Sequence, residues 1–404
     1  MKNQTIKKLI KLETNRQNTG IELIASENYP SKDIREAAGS ILTAKYAEGY
    51  PGKRYYGGCE YIDQIEQYAI DQACKLFHCK YANVQPHSGS QANFAAYHAL
   101  MPKGGSVLSL QLNDGGHLSH GSPVSFSSSM YEFHFFPLGS NGRINYDWVE
   151  ECALKYRPSV ILAGYSAYPY AIDFKRFREI ADKVNAYLMV DMAHIAGIVA
   201  AGSYQNPCNY ADIVTSTTHK TLRGPRGGLI LTNNEELAKR INSAVFPFAQ
   251  GGGLQHIVAA KAICFEEALK PSFKKYIANV LNNTRICCEE FKRLGAIVSD
   301  TNSHLFLLNT IESYGLTGKE AQLELEEIGI TTNKNMIPGD KLKPNETSGL
   351  RIGFAALTTR GCDQEDAFVI AKLIDGYLKN EIKKPQALKM VEKITHNLIK
   401  IQKI

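Results

Sequence analysis

The strongest constraint on the fold is a regular alternation of short apolar runs and longer helical patterns between about residues 60 and 270. Five apolar runs are typical of buried strands: Val107–Leu110, Ser159–Leu162, Tyr187–Val190, Ile213–Val214 and Leu229–Leu231. Five periodic stretches are typical of helices: Ile62–Phe77, Gln91–Leu100, Tyr146–Lys155, Phe174–Asn185 and Asn234–Ile241. The alternation predicts an α/β fold in which helices cover both faces of a mostly parallel sheet.

The pattern changes near residue 270, where a long helical stretch begins. Short strands, one helix and a surface loop follow: Phe273–Leu294, Ala296–Val298, Leu305–Leu308, Lys319–Ile328, Asn333–Thr347 and Gly349–Phe354. This mixture predicts a smaller C-terminal α+β domain. We therefore expect an N-terminal arm over residues 1–40, a large domain over 41–270 and a small domain over 271–404.

Composition argues against several classes of protein. The 46 basic and 40 acidic residues leave a net charge of only +6, partly from terminal lysines, so nucleic-acid binding is not indicated. No apolar run reaches the length of about 20 residues that a membrane span needs, and the N-terminus lacks a signal-peptide core. Nine scattered cysteines indicate reduced thiols and a cytoplasmic protein.

Lys220 stands between an apolar strand, Ile213–Val214, and a glycine-rich segment that ends at Gly228. Lysines usually stay on solvated surfaces because burial of their charge is costly. A lysine in this position therefore predicts a chemical role. The role that fits is a Schiff base with the aldehyde of pyridoxal phosphate (PLP).

Two other segments could hold the same cofactor. Asp191 directly follows the apolar run Tyr187–Val190, where its carboxylate could keep the pyridine nitrogen protonated, or could simply cap a helix. The sequence Ser88, Gly89, Ser90 precedes a predicted helix and could bind a phosphate, although an ordinary helix cap is the alternative.

Several further polar residues are candidates for ligand contacts. His117 lies among glycines, where its ring could lie flat against an aromatic ring, and Arg351 could grip a carboxylate through two points. Glu48 lies in a segment dense in tyrosine and glycine and is a possible acid or base. A metal site from His117, His120, His194 and His219 lacks a metal-binding spacing, so we expect none.

Together these residues resemble serine hydroxymethyltransferase, a PLP enzyme of fold type I. The resemblance runs from about Ile21 to Arg360, and six segments carry it: Glu22–Tyr29, Lys45–Gly58, Gln85–Asn93, Gly115–Gly121, Val190–Gly197 and Thr218–Gly228. It implies a large domain with a mostly parallel sheet of the seven-stranded type, and a smaller C-terminal α+β domain.

The resemblance also implies roles for individual residues. Lys220 would bind PLP covalently, Asp191 would pair with the ring nitrogen, and His117 would stack on the ring. Ser166, His194 and His219 would lie near the cofactor. Its phosphate would contact Ser88, Gly89 and Ser90, together with Tyr46 and Gly252 of a partner subunit.

The implied reaction is the reversible transfer of the hydroxymethyl group of L-serine to tetrahydrofolate, which gives glycine and 5,10-methylenetetrahydrofolate. Ser26 and Arg351 would hold the substrate carboxylate, and Glu48 and Tyr56 of a partner subunit would handle protons. Positions that match folate contacts in the family are Tyr55, Leu112, Gly116, Leu118 and Asn335, together with Phe246 of a partner subunit. A homodimer or a dimer of dimers is implied, because each site borrows residues from a second subunit.

Three segments depart from the family pattern. Phe248 and Gly253 stand in the segment Pro247–Gly253, Phe354 and Ala355 follow Arg351, and Tyr170 replaces an arginine. Because the first two departures change bulk near the expected substrate region, two alternatives stay open. One is a relative that acts on an α-substituted or other β-hydroxy amino acid, such as an α-methylserine transferase or a folate-independent aldolase. The other is a binding protein that has lost catalysis.

Overall fold

A computed structural model describes residues 3–404 and divides them into two compact units. One unit consists of residues 3–32 together with Lys275–Ile404, and the other of Asp33–Lys274. The described part of the N-terminal segment therefore belongs with the C-terminal residues. The expected boundaries at residues 40 and 270 stay a prediction.

The described residues contain sixteen α-helices and fourteen strands. The helices are α1 Gln4–Thr19, α2 Lys32–Ala38, α3 Glu60–Phe77, α4 Gly89–Leu100, α5 Phe126–Met130, α6 Tyr146–Tyr156, α7 Phe174–Val184, α8 Ala196–Ala200, α9 Glu235–Ser243, α10 Gln255–Ala268, α11 Pro271–Arg293, α12 Thr310–Tyr314, α13 Gly318–Glu327, α14 Ala355–Thr359, α15 Gln364–Leu378 and α16 Lys384–Asn397. The strands are β1 Ile21–Glu22, β2 Gly49–Tyr50, β3 Lys53–Arg54, β4 Tyr81–Asn83, β5 Ser106–Ser109, β6 Glu132–Phe135, β7 Val160–Ala163, β8 Tyr187–Asp191, β9 Ile213–Thr217, β10 Gly228–Thr232, β11 Leu305–Asn309, β12 Ile330–Thr331, β13 Asn333–Asn335 and β14 Gly349–Gly353.

A seven-stranded sheet forms the centre of the unit Asp33–Lys274, with the strand order β4-β10-β9-β8-β7-β5-β6. The pairs from β9 to β6 are parallel, whereas β10 runs antiparallel to both β9 and β4. Every residue of β7, β9 and β10 is buried, as expected for strands with helices on both faces. The predicted α/β fold with a mostly parallel sheet is confirmed.

All five predicted strands lie in this sheet, and the two strands that the sequence did not predict are its edges. β4 has only three residues, and β6 carries the polar residues Glu132 and His134. Edge strands have one unpaired side and are often short and partly polar. Such strands leave no continuous apolar run in the sequence.

The other unit contains an antiparallel sheet of the order β11-β14-β13, and β1 pairs with β12. Its N-terminal and C-terminal segments are joined by Arg360, whose side chain is fully buried. The guanidinium donates to the carbonyl oxygens of Gln17, Asn18 and Gly20, and to that of Ile399, at 2.8–3.1 Å. These bonds explain why helix α1 belongs to this unit. The predicted loop over residues 333–347 begins with strand β13.

Phe354, expected to alter the substrate region, is fully buried in the core of this unit. It belongs to the apolar cluster that also contains Phe291 and Phe306. The bulk of its side chain therefore fills the core.

Replacing Phe354 with alanine is expected to destabilise this unit by about 3–5 kcal/mol, because the change removes a buried ring and leaves a cavity. Urea denaturation followed by circular dichroism measures the change. Leu323, about half exposed on α13, provides the control, and its alanine variant should change stability by less than about 0.5 kcal/mol. Equal effects of the two variants would contradict this placement of Phe354.

Candidate active site

The candidate residues of the seven-stranded sheet follow the carboxyl ends of neighbouring parallel strands. Asp191 is the last residue of β8, Lys220 comes three residues after β9, and Ser166 comes three residues after β7. The strand pairings bring these ends to one edge of the sheet. In open parallel sheets that edge is where ligands bind.

Asp191 accepts hydrogen bonds on both carboxylate oxygens. Its Oδ2 accepts from Asn93 Nδ2 at 2.9 Å and lies 3.1 Å from His120 Nε2, and its Oδ1 accepts from the backbone N–H of Ala193 at 3.0 Å. Burial alone would raise the pKa of Asp191, but the hydrogen bond and charge of His120, with smaller contributions from His117 and Asn93, hold it well below its usual range. Asp191 therefore stays ionised.

A second layer of hydrogen bonds orients Asn93 and His117. Thr215 Oγ1 donates to Asn93 Oδ1 at 2.6 Å, and Asn93 Nδ2 also donates to Ser119 Oγ at 2.9 Å. Because the Ser119 oxygen accepts from Asn93, its hydroxyl proton can point to His117 Nδ1, which is 2.7 Å away. The His117 ring is thus linked to Asp191 through two side chains.

The sequence did not predict that Asn93, His120, Ser119 and Thr215 support Asp191. His120 was considered only as a metal ligand. Asn93 gave one usable signal, since its amide lies among the alanines Ala92, Ala95 and Ala96 in the sequence of α4. Its partner lies 98 residues away along the chain, so periodicity could not pair them.

The segment after Lys220 is a tightly closed loop. Thr218 Oγ1 donates to Pro225 O at 2.6 Å, and the N–H of Gly224 donates to Thr218 O at 2.7 Å. Thr221 Oγ1 donates to His194 O at 2.8 Å, which fixes the loop to the segment after β8. Lys220 itself is buried at the start of this loop.

Two buried polar atoms next to Lys220 have no hydrogen-bond partner among residues 3–404: Thr217 Oγ1 and His219 Nδ1. Burial, with the positive charges of Lys220, Arg226 and Lys261, lowers the pKa of His219 to about 3, so this ring is neutral at pH 7. Buried polar atoms normally have partners. Their presence here points to a polar ligand.

Ser88 caps helix α4, with its Oγ accepting from the backbone N–H of Gln91 at 3.2 Å. A helix cap and a phosphate site are compatible here. The backbone N–H groups of Gly89 and Ser90 lie in the first turn of α4, where no carbonyl of the helix can accept from them, so they could bind a phosphate. A Cβ atom at Gly89 would lie 2.6 Å from Thr217 Cγ2. Glycine therefore lets the helix start approach strand β9.

These groups suit PLP. The buried lysine amine matches the aldehyde of PLP, and the ionised carboxylate matches its pyridine nitrogen. The helix N-terminus matches its phosphate, and the polar atoms without partners match its ring substituents. Ser166 lies at the same edge, where its N–H donates to Gly115 O at 2.8 Å. The roles of the individual residues stay predictions.

Residues predicted to come from a partner subunit, and the neighbouring folate candidate Tyr55, cluster on one exposed surface of this unit. The side chains of Tyr46, Tyr55 and Tyr56 are 63%, 74% and 47% exposed. The Tyr46 and Tyr56 rings are 5.4 Å apart between centroids, and the Tyr55 and Phe246 rings are 5.6 Å apart. Gly252 adjoins Glu48, with its Cβ position 3.4 Å from Glu48 Cγ.

A buried arginine fixes the backbone around Glu48. Arg54 Nη1 donates to the carbonyls of Ala47 and Gly49, both at 2.9 Å, and these residues flank Glu48. Its Nη2 pairs with Glu66 at 2.7 Å, where both side chains are almost fully buried. Glu48 is thus presented at the surface by a rigid turn.

Three predicted folate residues of this unit lie in the loop after β5: Leu112, Gly116 and Leu118. Leu112 and Leu118 are partly exposed, whereas Gly116 is buried. A Cβ atom at Gly116 would lie 2.4 Å from Leu110 O, so the backbone approach requires glycine.

Arg351, Ser26 and Asn335 belong to the other unit. Arg351 lies in the central strand β14 of the three-stranded sheet, and its Nη2 donates to Ser26 Oγ at 3.4 Å. Burial lowers the pKa of Arg351 to about 10. Asn335 is in the neighbouring strand β13, paired with Gly349. A buried guanidinium of this kind is suited to a carboxylate ligand.

Two of the departures from the family pattern are explained by packing. The Phe248 ring stacks on His98 of α4, with centroids 3.6 Å apart and planes 8° apart. Tyr170 is buried, and the Arg143 guanidinium lies 3.9 Å from its ring centroid. Both side chains therefore have structural partners within their unit.

Within residues 3–404 no three of the histidine, cysteine, aspartate and glutamate side chains are arranged to hold a metal ion. No described helix is long and apolar enough to cross a membrane.

Comparison with known proteins gives consistent matches over nearly the whole chain. The serine hydroxymethyltransferase family profile matches residues 1–374. A probable serine hydroxymethyltransferase of Mesomycoplasma hyopneumoniae (strain 232) is 52% identical over 395 residues, which are 97% of this chain and 94% of the relative. A serine hydroxymethyltransferase of Lactobacillus johnsonii is 54% identical over 369 residues, 90% of each chain.

Replacing Asp191 with asparagine is expected to remove a pH-dependent contribution to stability. Because the folded-state pKa of Asp191 lies below the unfolded value of about 3.9, the carboxylate stabilises the fold at neutral pH, and this contribution is lost as the pH falls below about 5. The free energy of unfolding, measured by urea denaturation of cofactor-free protein, should therefore differ less between unaltered protein and variant at about pH 4 than at about pH 6.

A constant difference between unaltered protein and Asp191→Asn over this pH range would contradict the account.

Proposed function

The chain belongs to the serine hydroxymethyltransferase family and transfers the hydroxymethyl group of L-serine to tetrahydrofolate with PLP as cofactor; from this premise we propose that Lys220 carries the cofactor and that a second copy of the chain completes each site. One observation carries the assignment of Lys220: β8 and β9 are neighbouring strands, with the ionised Asp191 at the end of β8 and the buried Lys220 three residues after β9.

The cofactor ring would lie beside Asp191 and His117. PLP supplies an electron sink for the bonds at the amino-acid Cα atom. The ionised Asp191 carboxylate favours a proton on the pyridine nitrogen, and His120 and Asn93 keep that carboxylate in position. His117 would lie against the ring face, with its orientation fixed through Ser119.

The remaining cofactor contacts follow from the same edge of the sheet. The first-turn N–H groups of Gly89 and Ser90, with the Ser88 cap, would bind the phosphate. His219, Ser166 and His194 would lie near the ring substituents. His219 is neutral, so it can accept or donate a hydrogen bond without adding charge.

Arg351 would bind the carboxylate of serine or glycine, with Ser26 as its neighbour. A guanidinium can hold a carboxylate through two parallel hydrogen bonds. Because burial already lowers the pKa of Arg351, an anionic ligand would offset the unfavourable desolvation of its charge.

A homodimer, or a pair of such dimers, would complete the site. Three exposed tyrosines in one short loop form a surface that is unusual for a lone chain, because aromatic side chains are enriched at interfaces. Tyr46 and Gly252 of the second copy would reach the phosphate, and Glu48 and Tyr56 would move protons at the substrate.

Tetrahydrofolate would contact residues of both subunits. Tyr55 would contact it together with Phe246 of the partner subunit, and Leu112 and Leu118, which are partly exposed, would add apolar contacts. Gly116 and Asn335 complete the predicted set.

A cytoplasmic location is supported by the cysteines, since all nine are free thiols. Reduced cysteines of this kind are typical of the cytoplasm. Two of the departures that motivated an alternative substrate have structural partners, since Phe354 lies in the core and Phe248 stacks on His98.

Lys220→Ala is expected to abolish covalent attachment of PLP without unfolding the chain. Borohydride reduction followed by peptide mapping should find the cofactor on Lys220 of the unaltered protein and on no residue of the variant. The exposed Lys239 provides a control, because its alanine variant should keep the label on Lys220. Label on another lysine would overturn the assignment.

Mixing two inactive variants tests the shared site. Lys220→Ala and Glu48→Gln dimers should each be nearly inactive. Random assembly of equal amounts gives mixed dimers for about half the population, each with one intact site, so about one quarter of the unaltered activity should return. Activity no higher than the mean of the separate variants would show that Lys220 and Glu48 of the same chain act in the same site.

Arg351→Ala is expected to weaken glycine binding by about 2–5 kcal/mol, the scale of a lost charge-assisted pair. Calorimetric titration of the PLP-loaded protein measures the dissociation constant. Arg285→Ala, at an exposed arginine of the same unit, should leave this constant unchanged. An unchanged dissociation constant for Arg351→Ala would remove Arg351 from the substrate site.

A further inference from the structure

Helix α10 supports the loop that follows Lys220 through three side chains on one face. Ile257, Lys261 and Cys264 have the spacing of one helical face. A Cβ atom at Gly224 would lie 2.5 Å from Cys264 Sγ, and one at Gly227 would lie 2.3 Å from Lys261 Cε. The loop therefore needs glycine at both positions to rest on the helix.

Lys261 makes an unusual set of contacts on this face. Its side chain is 1% exposed, and its Nζ donates to the carbonyl oxygens of Val84, Pro86 and Gly228 at 2.7, 3.0 and 2.8 Å. Three donated bonds use all three N–H groups of an ammonium. The side chain thus joins two chain segments that are distant in sequence.

The three carbonyls belong to the two segments that would hold the cofactor. Pro86 lies two residues before Ser88, the cap of α4, and Gly228 is the first residue of β10, where the loop from Lys220 ends. The N–H of Gly228 also donates to Pro86 O at 2.9 Å. A Cβ atom at Gly228 would lie 2.3 Å from Ser88 O, so the two segments are in direct contact.

Burying a lysine here is costly, and this cost argues for a specific role. Burial lowers the pKa of Lys261 to about 7, opposed by the charge of Glu66. An apolar side chain would avoid the cost of desolvating a charge, but would leave the three carbonyls without this donor.

We propose that Lys261 is a positioning residue that sets the distance between the phosphate-binding start of α4 and the loop that carries Lys220. The inference rests on the proposed assignment of Ser88, Gly89, Ser90 and Lys220 to the cofactor. Lys261 does not touch the cofactor; it acts through the backbone of Pro86 and Gly228.

Lys261→Met, which keeps the length of the side chain and removes the ammonium, tests the proposal. The dissociation constant for PLP, measured by spectrophotometric titration of the cofactor-free protein, should rise at least tenfold, and the visible circular dichroism of the bound cofactor should change. Lys270→Met, at an exposed lysine beyond the end of α10, should leave both unchanged. A purely structural lysine would lower only the melting temperature.

Gly227→Ala provides a second variant, which keeps Lys261 but forces its side chain to move, because the new Cβ atom would lie 2.3 Å from Lys261 Cε. Like Lys261→Met, this variant should raise the dissociation constant for PLP. A folded variant of either kind that binds PLP within twofold of the unaltered protein, with the same visible dichroism, would overturn the proposal.

If neither variant folds, Lys261 supports the whole unit and the positioning role is also wrong. Borohydride labelling of the unaltered protein separates this outcome from a failure of the proposed function. Absence of label on Lys220 would remove the premise, whereas normal labelling with unchanged PLP binding in the variants would overturn only the role of Lys261.

Discussion

A buried carboxylate that must stay charged is the constraint on which the proposed cofactor site depends. Asp191 can remain ionised only because His120, Asn93 and the N–H of Ala193 donate to it. These donors come from three separate parts of the chain: helix α4, the loop after β5 and the turn after β8. Satisfying one charge therefore fixes three elements of the site relative to one another.

Close backbone approaches make this convergence possible. Gly164 follows β7 with a positive φ of +91°, and a Cβ atom there would lie 1.9 Å from the carbonyl oxygen of Asp191. The end of β8, which carries Asp191, can lie this close to the end of β7 only because Gly164 has no side chain. On the far side of β9, Lys261 holds Gly228 against Pro86 through its ammonium. Close backbone contacts at β7 and β8, and the hydrogen bonds of Lys261 at β10, therefore stabilise the strands on the two sides of β9.

Candidate residues that follow apolar runs could be found in the sequence, whereas residues that act through long-range pairs could not. Asp191 and Lys220 follow the apolar runs of β8 and β9, which made them candidates for a ligand site, although a helix cap stayed open for Asp191. The edge strand β6 was missed because Glu132 and His134 interrupt its apolar pattern. The link from Asn93 to Asp191 depends on how α4 packs on the sheet, which no local pattern encodes. Phe354 is buried in the core of its unit, and its expected effect on the substrate region stays a prediction.

Ionised Asp191 would keep a proton on the ring nitrogen of the cofactor, and nitrogen NMR of PLP labelled with ¹⁵N in the ring detects that proton. We expect the chemical shift of a protonated pyridine nitrogen in the unaltered protein at neutral pH, and that of an unprotonated nitrogen in Asp191→Asn. An unprotonated nitrogen in the unaltered protein, or a proton that survives the substitution, would contradict the role assigned to Asp191.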